Sequence, residues 1–275
     1  MNNVYIIGDV HGCYNTLMAL IDKLPQDAEL IFTGDLIDRG PHSRKVINFV
    51  RDNNHICVQG NHEAMMCDAV EQHIDCDRPI QRSNWYANGG NVCFSEYKNS
   101  DGSLDFDLFQ KDYEFLLNLP ILYINTLLHD EENRNLLVTH SNATKVIDQY
   151  LLASTKINDD TISEHDMVDY KHQIYNGENI MQWDRNIPTL KQTKFFNVFG
   201  HTPMDHFIYK HGEMQVNTNV IVSGVVIDKE IGYANIDSGA VYGANTNNRT
   251  IIGKLTALSF PSMEVIQQEY IDDFK

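Results

Sequence analysis

The chain has 275 residues, 42% of them hydrophobic and 21% charged, a balance that supports a sizeable core and excludes a disordered chain. A formal net charge of −17 excludes general binding to a nucleic-acid backbone or to an anionic membrane. It still admits a small anionic substrate, because metal ions and arginines act against the global field at short range. Five cysteines, an odd number with no Cys-x-x-Cys pair, argue against a disulfide framework. The first residues, MNNVYIIGDV, lack the charged and long apolar regions expected of a signal peptide, and no apolar run is long enough to cross a membrane. A cytoplasmic protein is the expectation.

Taken in chain order, short β-branched runs alternate with helical patterns. VYIIGD (4–9) reads as a buried strand ending on a carboxylate. The stretch 14–24 then places Leu17, Leu20, Ile21 and Leu24 on one helical stripe. ELIFTGD (29–35) is a second strand, and 43–53 a second helix, with Val46, Ile47 and Val50 inward and Ser43 as a possible cap. HICVQGN (55–61), NLLVTH (135–140) and FNVFGHT (196–202) are further strands. This alternation predicts an α/β fold with parallel portions. After about residue 220, strand follows strand without helices, which predicts antiparallel hairpins completing a second sheet. The segments 63–119 and 142–192 read as helical insertions over the sheet edge of a single domain spanning 1–275, since no Pro/Gly/Ser linker divides the chain.

The strand ends share one chemistry. Asp9 and His11 follow the first strand, Asp35, Asp38 and Arg39 the second, Asn61 and His62 the third; His140 and His201 close the later two. Ligands in open α/β sheets gather where strand C-termini meet, so these side chains are expected in one crevice. Carboxylate, imidazole and amide oxygen together suit Mn²⁺, Fe or Zn²⁺ better than Ca²⁺ or Mg²⁺. There are enough ligands for two ions, and Asp35 is central enough in the order to bridge them. Such a pair clamps an in-line displacement at phosphorus. Gly8, Gly34 and Gly60 each precede a key residue, where the backbone must turn or approach closely.

GDVHG, GDLIDRG and GNHE, with Asp9, Asp35 and Asn61 at equal intervals of 26 residues, resemble the three signature motifs of the phosphoprotein phosphatase (PPP) family of metallophosphoesterases. GNHEAMMCD, NWYANGG, GHTP and IDSGAVYG extend the resemblance to its bacterial and bacteriophage lambda-type members, over about Val4 to Leu258. The resemblance implies a four-layer α/β/β/α sandwich of two mixed β-sheets flanked by helices. It implies a first metal on Asp9, His11 and Asp35, and a second on Asp35, Asn61, His140 and His201. By the same resemblance His62, oriented by Asp38, is the general acid, Arg39 clamps phosphoryl oxygens, and Arg185 in MQWDRN is a second clamp. The implied reaction is direct in-line attack on phosphorus by a metal-bridging hydroxide, and the implied partner is a phosphorylated protein or peptide. At HSN (140–142) the sequence departs from eukaryotic members, which carry two glycines after the histidine, so Ser141 is expected to reshape the mouth of the site.

Each role stands on its own chemistry. An alkoxide leaving group needs a proton, which an imidazolium supplies. A neighbouring carboxylate raises that imidazole's pKa and fixes its tautomer, and guanidinium forks match phosphoryl oxygens. A rival reading is a symmetrical diadenosine tetraphosphate hydrolase releasing ADP. Asp38 leans against it: symmetrical tetraphosphatases of this family commonly lack that residue, and an ADP-like leaving group needs little acid help. A third reading, a metal-binding scaffold without catalysis, gives no reason for Asp38, Arg39 and His62 to be retained. Other residues have plainer readings. His42 and His55 are expected to be structural, and His73, His129, His165, His172, His206 and His211 to lie on the surface or in loops. Cys13 is expected to pack beneath the first metal loop, and Trp85 and Tyr86 to pack in the core or line the cleft. Asp237 is either a turn carboxylate or one that orients a metal-bound histidine.

Overall fold

The structure, a computed structural model, describes residues 4–143, 180–203, 207–210, 213–216, 220–221, 224–244 and 253–273. β1 (Val4–Ile7), β2 (Glu29–Phe32) and β3 (Ile56–Cys57) run parallel, each joined to the next through a helix, α1 (Tyr14–Ile21) and α2 (Ser43–Asp52). The second sheet contains β4 (Leu122–His129), β5 (Asn135–Thr139), β6 (Phe195–Phe199), β9 (Val220–Ile221), β10 (Val225–Asp228) and β11 (Tyr233–Asn235). Its order is β4-β5-β6-β11-β10-β9, with β5, β6 and β11 parallel. β7 (Phe207–Lys210) and β8 (Glu213–Val216) pair as a separate ribbon.

The last two strands correct the expectation that the C-terminal hairpins complete the second sheet. β12 (Lys254–Phe260) and β13 (Val265–Glu269) join the first, in the order β13-β12-β1-β2-β3. β12 pairs antiparallel with the edge of β1 that β2 leaves open. Its alternate residues serve both cores: Leu258 and Phe260 face the second sheet, Leu255 and Ala257 the helices. β1 alternates likewise. Val4 and Ile6 pack with Ile31, Leu136, Val138, Phe196 and Val198 between the sheets, whereas Tyr5 and Ile7 pack with Leu17, Leu20, Val46, Ile47 and Val50 beneath α1 and α2. Fully burying such a side chain contributes roughly 1.5–3 kcal/mol. A non-glycine residue held in the left-handed region costs about 1–2 kcal/mol, so the strands can carry the strained loops that follow them.

Helix boundaries also differ in informative ways. α1 stops at Ile21, and Leu24 reaches the core from the following turn. The N-terminus of α1 is capped from far along the chain: Asp272 accepts the N–H of Asn15 (2.8 Å) and the N–H (3.0 Å) and hydroxyl (2.6 Å) of Thr16. Ser43 is the first residue of α2, not its cap. Its hydroxyl accepts the Asp38 N–H at 3.0 Å, and Glu96 caps the helix instead, accepting the N–H of Ser43 (2.7 Å) and Arg44 (3.2 Å).

Between β3 and β4 the expected helical segment is present as α3 (Asn61–Cys76), a π turn at Tyr86–Gly90, α4 (Asn91–Ser95) and α5 (Phe106–Leu117). Of the segment 142–192 the structure describes the two ends, the second containing the short α6 (Ile180–Trp183). Expectations for His165, His172, His206 and His211 lie outside the described residues. Among the described residues no helix is long and apolar enough to cross a membrane.

Candidate active site

The two sheets pack face to face, and the polar residues that follow the C-terminal ends of their parallel strands gather at one end of the pair. They come from two sheets, not from one run of neighbours. Asp9, His11, Asp35, Asp38, Asn61, His62, His140 and His201 are all buried. The backbone that carries them is forced: His11, Asp35, Asp38, Arg39 and His201 have positive φ of 46°, 49°, 74°, 67° and 70°. Such strain persists only where the surroundings over-determine it, and it clusters at working sites. Two glycines show the tightness. A β-carbon on Gly60 would run into the Asp35 carboxylate, and one on Gly200 into that of Asp9.

Asp35 is the hub. Ligand-type atoms of His11, Asp35 and His62 lie within 4.8 Å of one another, as do those of Asp9, Asp35 and His140. Burial opposes charge on Asp35, but the imidazoles of His140, His62 and His11 outweigh it and hold the carboxyl well below the usual range. Burial, reinforced by Asp237 and Asp35, drives the Asp9 carboxyl the other way.

The histidines divide in the same manner. His11 donates Nδ1–H to the Ile37 carbonyl (2.9 Å), so its Nε2 lone pair faces Asp35 Oδ2 at 3.4 Å and meets Arg39 Nη1 at 2.7 Å. His140 donates Nδ1–H to the Thr33 carbonyl at 2.8 Å. Its Nε2 then faces Asn61 Oδ1 at 2.9 Å and Asp35 Oδ1 at 3.4 Å. His201 Nδ1 lies 2.9 Å from the same Asn61 oxygen and 3.2 Å from His140 Nε2. Burial lowers the pKa of all three; Arg39 adds to the effect at His11, and His140 helps take His201 to about 3. They are therefore neutral near pH 7, and the His140 Nε2 lone pair is left against the oxygens of Asn61 and Asp35. Turning the Asn61 amide over would still leave His140 Nε2 against Asp35 Oδ1 and His201 Nδ1. A buried, closely spaced set of imidazole, amide and carboxylate groups fits divalent cations.

His62 is different. Burial lowers its pKa, but the Asp35 charge and the Asp38 hydrogen bond raise it more, so it alone of the four rings shifts upward. It donates Nδ1–H to Asp38 Oδ2 at 2.6 Å, and its Nε2 stands 4.0 Å from Asp35 Oδ2. Asp38, fully buried, also accepts the Trp85 indole N–H at 2.9 Å from each oxygen. Arg39 is half-buried beside His11, and Arg185 is exposed at the end of α6, its Nη1 3.5 Å from the Thr202 hydroxyl.

Two contributors escaped the sequence reading. Glu63 accepts four N–H groups: Asp35 and Gly60 at 2.9 Å on one oxygen, Leu36 at 2.8 Å and Ile37 at 3.4 Å on the other. Burial and then the Asp35 charge push its pKa up to about 8, against the pull of those donors. The third position of a helix that starts on Gly60 is where a capping glutamate belongs, so GNHE itself carried that signal. Trp85 does more than pack, since it joins the core and tethers Asp38. The plainer readings hold where the structure describes them. Cys13 is buried with its thiol 3.5 Å from the His11 carbonyl, and burial raises its pKa, which leaves it inert. His55 packs on Phe49, and His73 and His129 are exposed. Asp237 is a buried turn carboxylate accepting the Gly239 N–H at 2.9 Å, and its charge is felt by Asp9.

Two mixed sheets with a shared carboxylate, buried imidazoles and flanking arginines at their common end are the architecture of a metallophosphoesterase, a hydrolase that works with divalent metals. The chain belongs to the calcineurin-like phosphoesterase family, whose model matches residues 3–224. It is similar to serine/threonine-protein phosphatase 2 of Salmonella typhimurium, at 26% identity over 81% of this chain and 89% of that protein. It is also similar to the asymmetrical bis(5'-nucleosyl)-tetraphosphatase PrpE of Anoxybacillus flavithermus, at 26% identity over 95% of this chain and 91% of that one. A crystal structure provisionally described as a diadenosine tetraphosphatase shares the fold, with a TM-score of 0.50 at 17% identity, covering 100% of this chain and 95% of that one.

Proposed function

We propose that the protein hydrolyses phosphomonoesters, with phosphoserine and phosphothreonine in proteins or peptides as its preferred substrates. Asp9, His11 and Asp35 would hold one divalent cation, and Asp35, Asn61, His140 and His201 a second, with Asp35 shared. The mixed nitrogen and oxygen donors favour Mn²⁺, with Fe or Zn²⁺ next. Bound there, the cations would activate water and neutralise phosphoryl charge. The chain's own groups do the rest. Arg39 and Arg185 hold phosphoryl oxygens from two sides. His62 keeps the proton that a basic alkoxide requires, and Asp38 holds it in the correct tautomer.

The observation that carries this reading is the placement of His62: its Nδ1 is held 2.6 Å from the buried Asp38 carboxylate, and its Nε2 is turned toward Asp35 at 4.0 Å. Such an arrangement matters for a poor leaving group and much less for a nucleotide phosphate. A second reading, hydrolysis of a bis(5'-nucleosyl) tetraphosphate, is favoured by the relative whose similarity runs over 95% of the chain.

The test is a two-substrate assay of metal-stripped protein reconstituted with Mn²⁺. A phosphoserine peptide is set beside diadenosine tetraphosphate, and phosphate and nucleotides are quantified. Fast peptide turnover with little nucleotide release is expected. Dominant ADP would instead assign symmetrical cleavage, and AMP with ATP asymmetrical cleavage; either overturns the protein-phosphatase reading. Silence on both substrates with metal bound would return the protein to the scaffold reading.

A further inference from the structure

Arg185 poses a problem of placement. It is exposed and leaves a four-residue helix, yet its charge is felt at His140, His201 and Asp237. A guanidinium on a short surface turn is a useful clamp only if the turn is fixed against the ligand cluster. Gln182 ties the helix to Gln59 and Trp183 packs on the His201 ring, but the turn that carries Arg185 itself is fixed by the two residues that follow His140. The Ser141 N–H donates to the Met181 carbonyl at 2.9 Å, and the Ser141 hydroxyl accepts the Asp184 N–H at 3.1 Å. The Asn142 side-chain amide donates to the Asn186 carbonyl at 2.9 Å. Thus the residue before Arg185 and the residue after it are each tied to one side chain of the HSN motif. Asp184 closes the turn by accepting the Asn186 N–H at 2.9 Å.

The anchor is itself rigid. Ser141 and Asn142 are buried, and the Thr139 hydroxyl donates to the Ser141 carbonyl at 2.7 Å. Glycines at 141 and 142 could keep the main-chain bond to Met181 but neither side-chain bond.

We propose that Ser141 and Asn142 are positioning residues that hold Arg185 at a fixed distance from His140, so that phosphoryl recognition and the imidazole cluster share one scaffold. They act through Arg185 and touch no substrate. The proposal rests on the reading of Arg185 as a phosphoryl clamp. Losing two hydrogen bonds of ordinary strength releases the turn by about tenfold in equilibrium.

The experiment is a double-mutant cycle on the full chain loaded with Mn²⁺. It compares Ser141→Ala/Asn142→Ala, Arg185→Ala and the combination. KM and kcat for nitrophenyl phosphate are measured, together with calorimetric binding of inorganic phosphate. The positioning pair is expected to raise KM and weaken phosphate binding about tenfold, with kcat changed less than about threefold. In the Arg185→Ala background the same pair is expected to add nothing. A penalty that persists undiminished there would overturn the proposal while leaving the clamp intact. An Arg185→Ala variant with unchanged KM and phosphate binding would refute the clamp reading, and the positioning role with it. If the paired variant does not fold, the single substitutions complete the cycle with smaller effects in the same direction.

Discussion

Arg39 and Arg185 flank one cluster, yet the chain holds them in opposite ways. The loop of Arg39 is fixed through its own backbone. From Asp35 to Gly40 every N–H has a partner: Glu63 takes those of Asp35, Leu36 and Ile37, the Ser43 hydroxyl that of Asp38, the Gly89 carbonyl that of Arg39 and the His11 carbonyl that of Gly40. Arg185 is exposed and is held by what its neighbours touch. The first arrangement fixes the main chain of the loop itself, through partners that come from the two helices that follow it, from Gly89 and from the first loop. The second is held through the side chains of Ser141 and Asn142, so substitutions at those two positions remove its bonds.

The comparison can be broken at several points. Asp35→Asn is expected to have the largest effect, because it removes the shared charge from both candidate metal positions. Elemental analysis should find the two-metal content lost and turnover abolished; full metal content would place the bridge elsewhere. His62→Asn is expected to reduce turnover of a phosphoserine peptide by about 10²–10⁴-fold and that of nitrophenyl phosphate far less. Equal losses on both substrates would remove His62 from the acid role.

Trp85→Phe probes the backbone-fixed side more gently. It removes the indole donor that lowers the Asp38 pKa, whose net shift is upward because burial dominates. Asp38 would then hold its charge less well, the support it lends to His62 would weaken, and the His62 pKa would fall. Since the acid must be protonated, the alkaline limb of the rate profile should move to lower pH, with about a tenfold loss on the peptide. An unmoved limb would mean that the indole only fills space.

The metal-type residues were legible because each lies at the end of a β-branched strand and within a short motif, where local sequence dictates position. Glu63 was hidden in plain view: it reads as an ordinary capping residue, and only the folded loop reveals that its carboxylate also orders Asp35, Leu36 and Ile37. Trp85 could not be assigned from sequence because an indole that fills a core and one that tethers a carboxylate look alike until its nitrogen has a neighbour. The destination of the last hairpin was misjudged for a related reason. Period-two patterning tells which residues face inward, but not which sheet has a free edge, and the open side of β1 is a property of the whole topology.

The cap that Asp272 places on α1 has a consequence for how the molecule is made. Its partner Thr16 lies 256 residues earlier, and β1 waits for β12 over a similar stretch, Val4 pairing with Phe260. During synthesis the strand that delivers Asp9 and His11 leaves the ribosome early, with one edge unpaired and the following helix uncapped. Contacts of such long range form slowly, and an open edge of this kind invites pairing with other chains. The catalytic floor is therefore laid first and locked last, and a nascent chain halted before residue 253 would carry the motifs of the site without the strand that holds them in place.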